Sequence, residues 1–156
     1  MARPQTFDAD EKVKTFGIDL VLSMDVSASM LAKDFKPNRL EAAKKIASEF
    51  IDKRPTDRIG LVVYEAESYT ACALTTDHES LQAKFKNIKS GELQSGTAIG
   101  MGIATAINRL RESEAKSKVI ILLTDGVNTD GKIHPLTASE YAKELGIIIY
   151  AIGIGS

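Results

Sequence analysis

Apolar positions along the chain alternate between short continuous runs and stripes of helical spacing. Residues 18–25, IDLVLSMD, form an apolar run of strand length behind Gly17. Residues 38–53 then place Leu40, Ala43, Ala47, Phe50 and Ile51 on one face of a helix. Asn38 and Glu41 have the spacing of a capping box at its start, and Pro55 ends it. Two further runs, RIGLVVY at 58–64 and SYTACALT at 68–75, read as strands separated only by Glu65, Ala66 and Glu67. Three residues permit a hairpin but no parallel crossover, so the second of these strands is expected to run antiparallel, at an edge.

The pattern continues in the same way. Thr76 with Glu79 predicts a capped helix from 77 to about 88. A helix from about 98 to 112 carries Ile99, Ile103, Ala106, Ile107 and Leu110 as its apolar stripe. Residues 118–124, KVIILLT, have the unbroken apolarity of a strand buried on both faces. Thr137 and Glu140 predict a capping box, Gly146 closes the helix that follows, and IIIYAIG at 147–153 is the last strand. The fold class expected is α/β: a doubly wound, mostly parallel central sheet with one antiparallel edge strand. Residues 1–17 read as an N-terminal segment or linker and 18–156 as one domain. A covering helix normally follows a core strand, so the domain is expected to be truncated at its C-terminal end and to lack its final helix.

Composition narrows the function classes. The chain has 156 residues, 44% hydrophobic and 26% charged, the proportions of a globular domain. Its 20 basic and 21 acidic residues nearly cancel, which argues against nucleic acid or an anionic membrane as partner. Cys72 is the single cysteine, so no internal disulfide and no multi-cysteine zinc site can form; within TACALT it reads as a small buried hydrophobe. No apolar stretch approaches the roughly 20 residues of a membrane span, and the polar start MARPQTFDADEK is not a signal peptide. His78, His134, Lys44 and Lys45 read as solvated, and the glycines at 96, 100 and 102 do not have dinucleotide-loop spacing.

The chemistry gathers at strand ends. In open α/β sheets, ligands bind beyond the carboxyl ends of strands where the winding reverses. The first strand ends in Asp25-Val-Ser27-Ala-Ser29, the strand 118–124 in Thr124-Asp125-Gly126, and Ser95-Gly96-Thr97 enters the 98–112 helix. If the two strands are neighbours at the reversal, these loops meet. Two carboxylates and three hydroxyls, with no His or Cys, make a hard oxygen site suited to Mg²⁺, Mn²⁺ or Ca²⁺. Such a set leaves an ion electrophilic, with room for an anionic oxygen from a partner. Blander roles remain for each residue: Asp25 and Asp125 as turn-capping strand ends, Ser27 and Ser29 as N-caps of a short turn, Thr97 as the N-cap of its helix.

The ordered set Asp25-x-Ser27-x-Ser29, Gly96-Thr97 and Thr124-Asp125-Gly126 resembles the metal-ion-dependent adhesion site of von Willebrand factor type A domains, over nearly the whole chain. That resemblance implies metal ligands at Asp25, Ser27, Ser29, Thr97 and Asp125, the hydroxyls binding directly in some states and the aspartates directly or through water. The segments LAKDFKPNRLEAAKKIA, DRIGLVVYEAESYT, LTTDH, GTAIGMGIATAINRL and SKVIILLTDGVNTDG are similar to the Bat (Bacteroides aerotolerance) proteins, in the BatA-like group. That branch implies a bacterial inner-membrane protein with a periplasmic domain between transmembrane anchors, a role in envelope stress or complex assembly, and other Bat proteins or a MoxR-type AAA+ ATPase system as partners. The branch commonly has an acidic residue where Ser95 stands and Gly where Ala28 stands. The leading reading is a non-enzymatic module that binds an acidic residue of a protein partner through the metal. Two rivals are a Mg²⁺-dependent hydrolase using Asp25 or Asp125, and a structural scaffold with a vestigial site.

Overall fold

The computed structural model describes residues 18–34, 36–90, 97–125 and 135–154. The segment 1–17, Ser95, Gly96, Gly126, His134, Gly155 and Ser156 lie outside them. Strand β1 (Ile18–Asp25) leads through a 3-10 turn at Ala28–Leu31 to helix α1 (Arg39–Asp52). Then come β2 (Arg58–Tyr64), β3 (Ser68–Thr75), α2 (His78–Lys86), α3 (Ile99–Leu110), β4 (Ser117–Thr124), α4 (Pro135–Glu144) and β5 (Ile147–Gly153). The five strands lie in the order β3-β2-β1-β4-β5. β1 pairs in parallel with β2 and β4, β4 in parallel with β5, and β3 runs antiparallel to β2 at the edge, as the three-residue connection requires.

The period of two along β1 divides the core. Leu20, Leu22 and Met24 face Leu40, Ala43, Ala47 and Ile51 of α1 with Leu81 and Phe85 of α2. Val21 faces the other way with Val62, Tyr64, Ile120 and Leu122, into the cluster that holds Ile103, Ala106, Ile107 and Leu110 of α3 and Ala138 and Ala142 of α4. Helices therefore cover both faces, the doubly wound arrangement. Cys72 is buried at 8% exposure, in the role of a small hydrophobe. On β5, Ile148 and Tyr150 are exposed. Among the described residues no helix is long and apolar enough to cross a membrane.

Several local expectations are corrected. Asn38 does cap α1, accepting the Glu41 N–H at 2.8 Å. The cap of α2 is Asp77 rather than Thr76, its carboxylate accepting the Ser80 N–H at 3.1 Å; that N–H lies three residues ahead, within reach of the longer acidic side chain. Helix α4 begins at Pro135, two residues before Thr137, because proline is pre-organised for the first helical position. Gly146, at φ 75°, closes α4 as expected. Lys44 is not simply solvated: its Nζ donates to the Ile88 carbonyl at 2.6 Å, tying α1 to the segment after α2. His78 is half-buried, its Nε2 2.7 Å from the Asp57 carbonyl oxygen.

Candidate metal centre

The strand order makes β1 and β4 neighbours, and their carboxyl ends carry Asp25 and Thr124-Asp125 side by side. β2 ends at the same level, Tyr64 opposite Asp25. The chain leaves β1 by a backbone bond from Val26 N–H to the Tyr64 carbonyl at 2.9 Å. The Thr97 segment is fastened to the same rim, because Ala98 N–H donates to the Glu65 carbonyl at 2.6 Å. The loops carrying the five candidate ligands thus reach one end of the sheet.

Asp25 is fully buried. Its Oδ1 accepts from the Ser27 N–H at 2.9 Å and from the Ser27 hydroxyl at 2.5 Å, and its Oδ2 accepts from the Thr124 hydroxyl at 3.0 Å. Ser29 Oγ lies 3.0 Å from Ser27 Oγ. Ser27 occupies the N-cap position of the 3-10 turn, yet its side chain makes no capping bond. Its hydroxyl is turned onto the carboxylate instead, so the capping explanation of Ser27 fails. Thr97 likewise does not hold the N-cap of α3, a position taken by Ala98 without a side-chain bond. Thr97 is buried at 4% exposure.

Asp125 has a side chain only 1% exposed, and its Oδ2 receives Arg39 Nη1 at 3.3 Å. Burial pushes the Asp25 carboxyl above its ordinary value, and the neighbouring Asp125 charge adds to this; the Ser27 and Thr124 hydrogen bonds oppose it. Tyr64 is fully buried, and its hydroxyl has no hydrogen-bond partner among the described residues. Burial, then the nearby Asp25 charge, pushes that phenol well above its ordinary range; Thr124 beside it pulls weakly the other way without forming a well-directed bond.

These residues fit a hard divalent ion. A buried carboxylate whose ionised form is penalised, with the Ser27 and Thr124 hydroxyls on it, Ser29 beside Ser27, Asp125 on the neighbouring strand end and Thr97 in the segment tied to the same rim, offers hard oxygen donors that a cation would suit. Among the described residues no three His, Cys, Asp or Glu gather into a metal cage, so the hydroxyls are integral to any such site. Sequence reasoning passed over Arg39, Thr124 as a partner of Asp25, and Tyr64. Only Thr124 carried a signal, its place in the Thr-Asp-Gly strand end. Arg39 and Asp125 are 86 residues apart, and no local pattern connects them.

Over residues 20–128 the chain matches the von Willebrand factor type A domain family. An uncharacterized Borreliella burgdorferi protein is 39% identical over 141 residues, spanning 90% of this chain and 41% of its own length. The crystal structure of an aerotolerance-related membrane protein from Bacteroides fragilis aligns at a TM-score of 0.83 and 31% identity, covering 89% of this chain and 68% of that one. Proximal thread matrix protein 1 from the mussel byssus, solved with a zinc-occupied MIDAS motif, aligns at 0.77 and 24% identity over 89% of this chain and 36% of that one, a likeness of fold alone. The chain spans less than half the length of the curated relatives it matches.

Proposed function

The chain belongs to the von Willebrand factor type A domain family, and from that premise we propose that it is a non-enzymatic, metal-dependent protein-interaction module. Asp25, Ser27, Ser29, Thr97 and Asp125 would hold a divalent ion, Mg²⁺ foremost with Mn²⁺ or Ca²⁺ as the other hard candidates. The ion would supply an electrophilic centre for a Glu or Asp oxygen of a partner protein. The observation that carries this reading is the Ser27 hydroxyl, 2.5 Å from Asp25 Oδ1 and 3.0 Å from Ser29 Oγ, gathered at the carboxylate when the turn it precedes offers it a capping bond. The zinc-occupied MIDAS motif of the mussel protein lends support to a divalent ion in a fold of this kind.

The likeness to an aerotolerance-related membrane protein supports a Bat-type setting. In it, this module would be one part of a larger inner-membrane protein, on the periplasmic side, capturing another Bat protein or a component of a MoxR-type AAA+ system. The hydrolase alternative gains nothing from the geometry of the described residues. His78 contacts Asp57, which precedes β2 and so lies at the opposite end of the sheet from Asp25. The test is isothermal titration of Mg²⁺ into the wild-type chain and the Asp25→Ala variant. Binding by the wild type that Asp25→Ala abolishes is the expected result; a wild type that takes up no divalent ion refutes the reading.

A further inference from the structure

Resting on the metal-dependent reading above, we propose that Arg39 is a built-in counter-cation of the site, which pairs with Asp125 and competes with a divalent ion for it.

The position of Arg39 makes little sense for the helix that carries it. It is the first residue of α1, where the helix dipole favours negative charge and disfavours a guanidinium. Two acids outside the helix account for it. Arg39 Nε and Nη2 grip the two oxygens of Asp34 at 2.9 and 3.1 Å, a bidentate clamp that fixes the plane of the guanidinium. The remaining terminal nitrogen, Nη1, is thereby aimed across the sheet end at Asp125 Oδ2, at 3.3 Å. The Arg39 side chain is 18% exposed and that of Asp125 1%, so this contact is largely withdrawn from water.

Its purpose follows from the charges around it. Asp25 and Asp125 sit at the ends of adjacent parallel strands, the first fully buried and the second with a side chain only 1% exposed. Buried carboxylates at neighbouring strand ends call for a cation, and Arg39 Nη1 meets Asp125 there. A guanidinium keeps its proton in a protein, so what displaces it from Asp125 is a second cation. A divalent ion bound at the two aspartates both repels Arg39 and takes over its partner, so whatever strengthens the Arg39–Asp125 pair weakens metal binding, by at most the same factor. The long 3.3 Å contact, beside the shorter Asp34 bonds, leaves Arg39 a firm hold elsewhere when Asp125 is claimed.

The test measures Mg²⁺ affinity by titration calorimetry for the whole chain and for Arg39→Gln and Arg39→Lys, together with melting temperatures in EDTA. Arg39→Gln is expected to bind Mg²⁺ about tenfold more tightly, the scale of losing one hydrogen-bonded charge partner, and to melt lower than wild type without metal. Arg39→Lys, which keeps the charge but not the fork, falls between and carries the test if the Gln variant does not fold. Unchanged or weaker Mg²⁺ binding in these variants, with the wild type binding normally, overturns the counter-cation role and leaves the metal site standing. Binding gained by Arg39→Gln where the wild type binds nothing sustains the competition and overturns the wild type as a metal module. No binding by any of the three overturns both.

Discussion

Helix α3 lies so close to the sheet at Gly102 that a Cβ there would stand 2.4 Å from Tyr64 Cδ2 and 2.9 Å from Ser23 Oγ. The same approach lets the Ser23 hydroxyl donate to the Gly102 carbonyl at 3.1 Å. Both neighbours are fully buried, so neither can swing aside. Replacing an interior helical glycine by alanine normally gains about 1 kcal/mol in helix propensity. Here overpacking against a fixed aromatic ring costs about 1–3 kcal/mol and prevails. Gly102→Ala is therefore expected to be net destabilising in urea denaturation; a gain in stability would mean that α3 can lift from the sheet without penalty.

The ring that Gly102 admits brings a hydroxyl into the core with no partner among the described residues. A buried, unpaired polar group costs about 1–3 kcal/mol. Tyr64→Phe removes that group while keeping the ring against α3, so the metal-free protein is expected to gain about 1 kcal/mol. Denaturation of the two proteins in EDTA decides it. A loss of stability would reveal that the Tyr64 hydroxyl is engaged after all.

Much of this arrangement was legible in the sequence, for reasons that can be named. The alternation of apolar runs and helical stripes predicts the doubly wound sheet, while the adjacency of 18–25 and 118–124 was a condition the pattern left open and the strand order meets. The three-residue link 65–67 dictated the antiparallel edge. What stayed hidden depends on the third dimension or on a choice between near-equivalent residues. Arg39 looked like an ordinary helix residue because its partner lies 86 positions away. Tyr64 closed an apolar run, and nothing in that run tells that its ring packs under Gly102 with its hydroxyl unpaired among the described residues. Thr76 and Asp77 are both capping residues, and the winner was the one whose oxygen reaches Ser80.

At the amino ends of the strands, Asp19 is nearly buried and accepts Arg58 Nε at 2.9 Å, with further bonds from Arg58 Nη2 and the Ser113 hydroxyl. Burial alone would raise its carboxyl, but the Arg58 and Ser113 hydrogen bonds and the charges of Arg58 and Lys118 outweigh it and hold it below its ordinary value of 3.8. A depressed carboxyl contributes stability that is fully present above the unfolded value and is lost as pH falls through the lower folded one. The chain is therefore expected to lose stability on acidification below about pH 4, and Asp19→Asn to lose less over that interval. Denaturation midpoints from pH 6 to pH 2.5 for both proteins provide the check. Parallel curves would remove Asp19 from the acid transition.

Asp25→Asn separates stability from function most sharply. The ionised carboxylate is fully buried and sits beside Asp125, so its charge is a liability in the folded, metal-free protein, as the upward shift of its carboxyl records. Asparagine keeps the shape. Its carbonyl oxygen can retain the two donors of Ser27, and its amide can donate to the Thr124 hydroxyl, which then serves as acceptor. In EDTA the variant is expected to be at least as stable as wild type. With Mg²⁺ added, the order reverses, because a site that has lost one of its two carboxylates gives up the charge that draws a divalent ion. The wild type should gain melting temperature as Mg²⁺ rises, by the linkage of ligand to the folded state, while Asp25→Asn stays flat. Thermal melts across a Mg²⁺ series measure both halves at once. A variant less stable than wild type in EDTA would show that the Asp25 charge serves the fold rather than the ion, and an equal Mg²⁺ response in both would remove Asp25 from the site.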